Sequence, residues 1–381
     1  MSETSGDDSL KPSLSLDEID WVVSASPHLH KGDTTGHIMW TVSATLVPAL
    51  AWGVYVFGWA ALYVVALCVA TCLATEYLCN RLRRRPSTLL DGSAVVTGLL
   101  MAFVLPSHSV VVASTASGSS TLLTLLDWKV PVIGSFFAIA IVKQAFGGLG
   151  NNIWNPALAG RAFVQLSFSA SMVPPEWPWP AATDGVTSAT ALSAGSSGFT
   201  VKELFFGVCP GCIGEVSAFL LLAGAVVLVA RKIIDWRLPI AYMVSLVVVA
   251  TLCAWSAREP SAAPLWVTGF ARLFEGLRAG DVGLAAFGEG WLNFAARQLF
   301  AGGLMLGALY MATDMVTSPL TPRGQVYFGI GCGVLTALIR SFAGMPEGVC
   351  YAILLMNTAR PYVDRISRQR ILGERKEKSG D

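Results

Sequence analysis

The chain is short of charge. Aspartate, glutamate, lysine and arginine make up only 13% of its 381 residues, against roughly 25% in soluble domains, which excludes a water-facing surface over most of the molecule. With 26 basic and 25 acidic residues the formal net charge is +1, which singles out no partner, and nucleic acid is not expected among them. Histidine is scarce, and His28 and His30 have no third ligand beside them, so no metal site is expected. The cysteines form no disulfide framework: Cys68, Cys72, Cys79, Cys253, Cys332 and Cys350 are scattered through apolar blocks. Only "CPGC" at 209–212 has redox or metal spacing, and standing alone it reads as a turn that opens a helix. There is no nucleotide-binding glycine motif and no iron–sulfur cysteine set. The polar N-terminus lacks the basic stretch that begins a signal peptide.

Hydrophobic residues, by contrast, make up 54% of the chain. The run "IMWTVSATLVPALAWGVYVFG" at 38–58 carries no charge over the ~20 positions a membrane-spanning helix needs. Similar blocks follow at 60–80, 92–106, 130–148, 156–170, 211–230, 238–255, 296–312, 326–343 and 346–360. The expected fold is therefore an all-α, multi-pass membrane protein with about ten transmembrane helices. Basic clusters sit at Arg81 to Arg85, at Arg231, Lys232 and Arg237, and in the tail from Arg360 to Lys378. Crossing once per block from a cytoplasmic N-terminus brings all three clusters to the cytoplasmic face, as the positive-inside rule requires. The expected organisation is a cytoplasmic arm at 1–37, a first membrane half at 38–170 and an extracytoplasmic loop at 171–210. A second half follows at 211–361, with an outer loop at 256–295, and a basic cytoplasmic tail at 362–381. Short or interrupted blocks in both halves point to two five-helix inverted repeats with broken or half helices.

Polar residues within such a chain need a reason. In "GGLGNNIWNPALAGRAF" the glycines permit tight turns, Asn152 and Asn155 bring amide donors and acceptors, and Arg161 is costly in lipid without a partner. A helix-breaking loop held by the asparagines and a ligand contact both fit. "TDMVTSPLTPRG" poses the same choice, with Asp314, Thr317, Ser318 and Thr321 capping a broken helix or entering a cofactor pocket. Asp91 and Glu347 precede their blocks and read as helix caps. Glu215 lies inside the start of its block, which makes it the strongest candidate for an acid on an ion path.

The stretch "DGVTSATALS" at 184–193 is rich in hydroxyls and lies in the outer loop. By composition it is an exposed linker or a modification site. Its first seven residues, "DGVTSAT", resemble the signature at which a flavin transferase attaches FMN through a phosphoester to the last threonine. That signature marks the D subunit of the Rnf ion-translocating electron-transport complex and the B subunit of the sodium-pumping NADH:quinone reductase. Asp184, Thr187, Ala189 and Thr190 match, while Ser188 stands where glycine is usual. The resemblance extends over most of the chain, through "SASPHLHKGDTTGHIM", "LLDGSAVVTGLLMAFVLP", "KQAFGGLGNNIWNPALAGRAF", "GCIGEVSA", "RKIIDWRLPI", "MATDMVTSPLTPRG" and "RSFAGMPEGVCYAILLMNTARPYVDR". The "SPHLH" stretch that leads into the first block is more similar to the Rnf protein.

This resemblance implies a membrane electron-transfer subunit of an ion-pumping, ferredoxin:NAD-type oxidoreductase in the bacterial cytoplasmic membrane, coupled to sodium or proton movement. It is not catalytic alone. The implied cofactors are FMN on Thr190 and a non-covalent riboflavin in the membrane region. Asn152, Asn155, Arg161, Asp314 and Thr317 are the expected pocket residues for the second flavin. Implied partners are the other subunits of the complex, the flavin transferase and membrane lipid, since the chain has no motif of its own to receive electrons from NADH or ferredoxin. A quinone-reducing B-type subunit, and a cofactor-free channel or transporter with the urea-transporter-like fold, remain the alternatives.

Overall fold

The computed structural model describes residues 34–106, 110–111, 125–126, 128–172, 200–207, 211–215, 217–256, 284–342 and 348–368. They belong to the compact unit Asp33–Asp381. Nearly all of them are helical. The exception to the all-α expectation is an antiparallel ladder of two residues per strand, β1 (Val110–Val111) against β2 (Leu125–Leu126).

The chain enters α1 (Thr35–Phe57) through a cap in which the Thr34 hydroxyl accepts from the His37 amide. It turns at Gly58 into α2 (Trp59–Leu82). α3 (Ser93–Phe103) is only 11 residues long, and α4 (Lys129–Phe136) continues as a π-helical segment, Phe137–Gln144. α5 (Pro156–Ser167), α6 (Val201–Phe206), α7 (Ala218–Ala230) and α8 (Arg237–Ser256) follow. After α9 (Leu284–Phe300) a short turn, α10 (Leu304–Leu306), passes into a second π segment, Gly307–Met311. α11 (Pro322–Phe342) and α12 (Val349–Ile366) complete the order.

α8 shows why the bundle belongs in lipid. Leu238, Tyr242, Leu246, Ala250 and Ala254 form a buried stripe at every fourth residue, packed mainly on α11. Ile240, Val244, Val248 and Leu252 form an equally apolar stripe that is about half exposed, at 45% to 57%. A helix apolar on both faces is a membrane helix, because water would penalise the outer stripe. Among the described residues, four helices are long and apolar enough to cross a membrane: Thr35–Phe57, Trp59–Leu82, Arg237–Ala254 and Pro322–Phe342. The other apolar blocks hold shorter or interrupted helices. Hydroxyls within the bundle are satisfied locally, as when Thr97, Thr251 and Thr336 donate to carbonyls four residues back.

Short helices leave carbonyls unpaired at membrane depth, where no water can take them up. Arginines fill that role here. Arg161 donates to the Val104 carbonyl at the end of α3 (2.8 Å). Arg340 donates to the Gln298 (2.7 Å) and Ala301 (3.4 Å) carbonyls at the end of α9. Arg83, which is exposed, donates to the Gln144 carbonyl at the end of the first π segment, and Arg360 to the Val316 carbonyl in the turn after the second. A cation at a helix C-terminus also meets the negative end of the dipole.

Three boundaries differ from the sequence expectation. α6 lies in the expected loop 171–210, where Thr200 and Glu203 form a reciprocal capping box. α9 begins at Leu284, inside the expected loop 256–295, because helix propensity carries it through a segment diluted by Gly288, Glu289 and Gly290. α12 runs to Ile366, past the boundary expected at 361.

Candidate functional site

Both π segments end in polar loops, and each loop leads to a helix with proline in its first position. In the first loop Gly147, Gly148 and Gly150 adopt φ of 127°, 102° and 96°, a region that side-chain-bearing residues avoid. These turns bring Asn152 and Asn155 back toward the bundle. Asn155 caps α5, its Oδ1 accepting from the amides of Ala157 (3.0 Å) and Leu158 (3.4 Å). Its Nδ2 donates to the Met311 carbonyl (3.1 Å), tying the first loop to the second π segment. Asn152 donates to the Trp154 carbonyl (3.1 Å). Asn155→Ala therefore removes a cap and a tether together, and a loss of about 1–2 kcal/mol is expected from the cap alone. Thermal unfolding in detergent checks it, with Asn155→Asp, which keeps the cap but not the tether, falling between the two.

In the second loop Asp314 organises a turn. Its carboxylate accepts from the Val316 amide (3.4 Å) and the Thr317 hydroxyl (3.2 Å), while Thr321 caps α11 through the Gly324 amide (3.0 Å). The two loops face one pocket, partly open to the outside, with a cavity volume of about 90 Å³. Its lining combines apolar side chains, among them Ile38, Met39 and Val42 on α1, Val96 and Leu100 on α3, and Ile233 and Ile234 after α7, with a polar wall of Ser93, Thr97, Lys143, Asn152, Thr313 and Asp314, so that α3 contributes to both.

The polar wall has a defined donor set. Thr97 and Thr313 give their protons to carbonyls of their own helices, leaving their oxygens as acceptors. Lys143, 2% exposed, donates to both oxygens of Glu76 (3.1 and 3.0 Å) and to the Ser93 hydroxyl (2.8 Å). Sequence reasoning assigned these three residues nothing, because Glu76 and Lys143 are 67 positions apart and only the fold joins them.

Of the five expected pocket residues, Asn152, Asn155 and Asp314 line this pocket; Arg161 and Thr317 lie outside its lining. Thr317, fully buried, turns to Asp314. Arg161 sits deeper, with Glu215. The 3₁₀ turn Ile213–Glu215 packs under the end of α3 through a bond from the Ile213 amide to the Leu105 carbonyl (3.4 Å). Glu215 is 7% exposed; its Oε2 accepts from the Cys212 amide (3.3 Å), and its Oε1 has no hydrogen-bond partner among the described residues. Arg161 and Arg340 both lie within its electrostatic reach, and the Cys212 thiol lies against both Arg161 and Glu215. A side chain at Gly211 or Gly303 would meet the carboxylate at 2.9 or 3.1 Å, so both positions are left open for it.

Asp91 does not cap α3; Gly92 occupies that position with no side-chain bond, because the 3₁₀ turn Leu89–Asp91 ends on this left-handed glycine, which leaves Asp91 one residue short of the cap. Glu347 and the attachment motif, Asp184, Thr187, Ser188, Ala189 and Thr190, lie outside the described residues.

Long apolar helices, with shorter helices around a pocket that carries polar groups, define a multi-pass membrane protein. The chain belongs to the NQR2, RnfD, RnfE family, whose model matches residues 22–373. It is 39% identical to the D subunit of the Na(+)-translocating ferredoxin:NAD(+) oxidoreductase complex of Acetobacterium woodii, over 94% of this chain and 97% of that one. It is 35% identical to the D subunit of the proton-translocating ferredoxin:NAD(+) oxidoreductase complex of Clostridium ljungdahlii, over 93% and 97%. To the D subunit of the ion-translocating oxidoreductase complex of Escherichia fergusonii it is 32% identical, over 93% and 99%.

Proposed function

We propose that this chain is the membrane electron-transfer subunit of an ion-translocating oxidoreductase complex of the ferredoxin:NAD(+) type. FMN is held in phosphoester linkage to Thr190, placed there by a flavin transferase, and a non-covalent flavin, riboflavin, occupies the pocket between the two loops. The chain crosses the bacterial cytoplasmic membrane about ten times, with both termini cytoplasmic and the attachment loop outside. Other subunits of the complex supply and remove the electrons, and Glu215 stands on the path of the coupled sodium ion or proton.

The observation that carries the second flavin is the meeting of the two loops on one pocket lined by both apolar and polar side chains. An isoalloxazine combines a dimethylbenzene edge with a pyrimidine edge bearing donors and acceptors, so a lining of both kinds fits it. When bound, a flavin supplies one- and two-electron redox chemistry that no side chain of the pocket has. The chain's own contribution would be to hold it: Ile38, Met39 and Val42 on α1 would pack on the apolar edge, while Ser93, Thr97, Asn152 and Thr313 would address the polar edge and help exclude bulk water.

Thr97→Phe tests this, since α3 then projects a ring into the pocket space. Acid-extractable flavin is expected to fall to background in the purified complex while the covalent flavin stays unchanged. If extractable flavin remains at the wild-type level in a folded variant, this pocket is not its site.

A further inference from the structure

The polar wall connects to the protein surface through an unbroken hydrogen-bonded chain. Lys143 spends all three of its protons on Glu76 Oε1, Glu76 Oε2 and Ser93 Oγ. Ser93 therefore accepts from the ammonium and keeps its own proton to donate, and Ser93 lines the pocket. At the other end Glu76 Oε1 accepts from the Thr88 hydroxyl (2.7 Å), which accepts from Asn80 (2.9 Å). Thr88 is half-buried, in the stretch that follows the exposed residues 81–87. Stability alone does not account for the ion pair, because apolar residues of similar volume serve a core as well or better. Lys143 also stands in a π-helical segment, a winding that recurs at functional sites.

We propose that Thr88, Glu76, Lys143 and Ser93 form a proton relay between the protein surface and the ligand of the pocket. This rests on the reading of that ligand as a flavin. Adding two electrons to an oxidised flavin requires two protons to give the neutral reduced ring; the electrons come from the redox carriers of the complex and the protons from water. In each transfer the Ser93 hydroxyl proton passes to the ring as Lys143 returns one to Ser93 Oγ. Glu76 then takes a proton from the Thr88 hydroxyl and passes it to Lys143, and water replaces the proton on Thr88. Every relay group ends as it began. The titratable groups around the pair are the Cys72 and Cys79 thiols on α2, Arg83 at its end and Asp314 across the pocket. None of them interrupts the chain.

The test uses the complex purified with its partner subunits, reduced anaerobically in stopped flow by reduced methyl viologen, a one-electron donor that releases no proton on oxidation. Flavin absorbance follows the electrons, and a pH-indicator dye follows the protons. Ser93→Ala cuts the relay at the pocket while leaving the Glu76–Lys143 pair in place. Proton uptake that keeps pace with reduction in wild type is expected to lag at least about tenfold in Ser93→Ala, the scale on which a positioned proton-transfer group acts. Ser93→Thr should restore it. If Ser93→Ala retains its extractable flavin and takes up protons at the wild-type rate, the relay is overturned and the pocket reading stands. If wild type holds no extractable flavin, the pocket reading falls and the relay falls with it. Should Ser93→Ala lose flavin, the paired variant Glu76→Gln with Lys143→Met, which buries no net charge, decides: a lag supports the relay and a wild-type rate overturns it.

Discussion

Thr190→Ala is expected to remove the covalent flavin entirely. The proposed link is a phosphoester to the threonine oxygen, and alanine offers no atom that could form it, so the effect is loss of the modification and not a graded weakening. Thr190→Ser keeps a hydroxyl and should keep part of the flavin. Ser188→Gly should raise the extent of attachment, because glycine permits the close backbone approach and positive φ that the usual signature supplies at that position. The measurements are mass analysis of the peptide containing Thr190 and in-gel flavin fluorescence, from cells that also make the flavin transferase. An increment equal to FMN less water in wild type, absent in Thr190→Ala, supports the assignment. An unmodified Thr190 in competent cells sinks it and brings the cofactor-free transporter forward.

Hydropathy made the long helices legible because lipid imposes one rule on every residue of a span. α1, α2 and α8 begin and end within a few residues of the apolar blocks that announce them. The winding was not legible. "FAIAIVKQ" is as apolar as an α-helical block, and nothing in its composition separates π from α geometry. α6 was readable in principle, since Thr200 followed by Glu203 is a capping-box signature, but a run of six helical residues is easily absorbed into a polar loop. The site was half legible. The two interrupted loops were identified from glycine, asparagine and proline, yet the assumption that neighbours in sequence share a pocket failed at Arg161. Six residues beyond Asn155 along α5 is a rise of about 9 Å, enough to carry the guanidinium from the pocket to the buried end of α3. The Glu76–Lys143 pair could not be read at all, since either residue alone looks like a misplaced charge.

Arg161→Met should be among the most damaging single changes in the chain. It orphans the Val104 carbonyl and strips Glu215 of a facing cation, and both groups are buried. Breaking a buried pair from one side costs about 3–5 kcal/mol, comparable with the whole margin of a folded domain, about 5–15 kcal/mol. A large fall in the thermal midpoint and in the yield of monodisperse protein in detergent is the expected result. Glu215→Gln separates the two causes. The amide keeps the acceptor that the Cys212 amide uses and carries no charge, so that variant alone should fold. Combined with Arg161→Met, it should recover much of the lost stability if countercharge is the chief role of Arg161. A double variant no better than Arg161→Met would make the carbonyl at the end of α3 the whole reason for the arginine. The Glu215 oxygen that has no hydrogen-bond partner among the described residues would then be left as the place where a coupled cation can enter. In that case Glu215→Gln, folded and flavin-loaded, should transfer electrons while losing its response to the coupling ion.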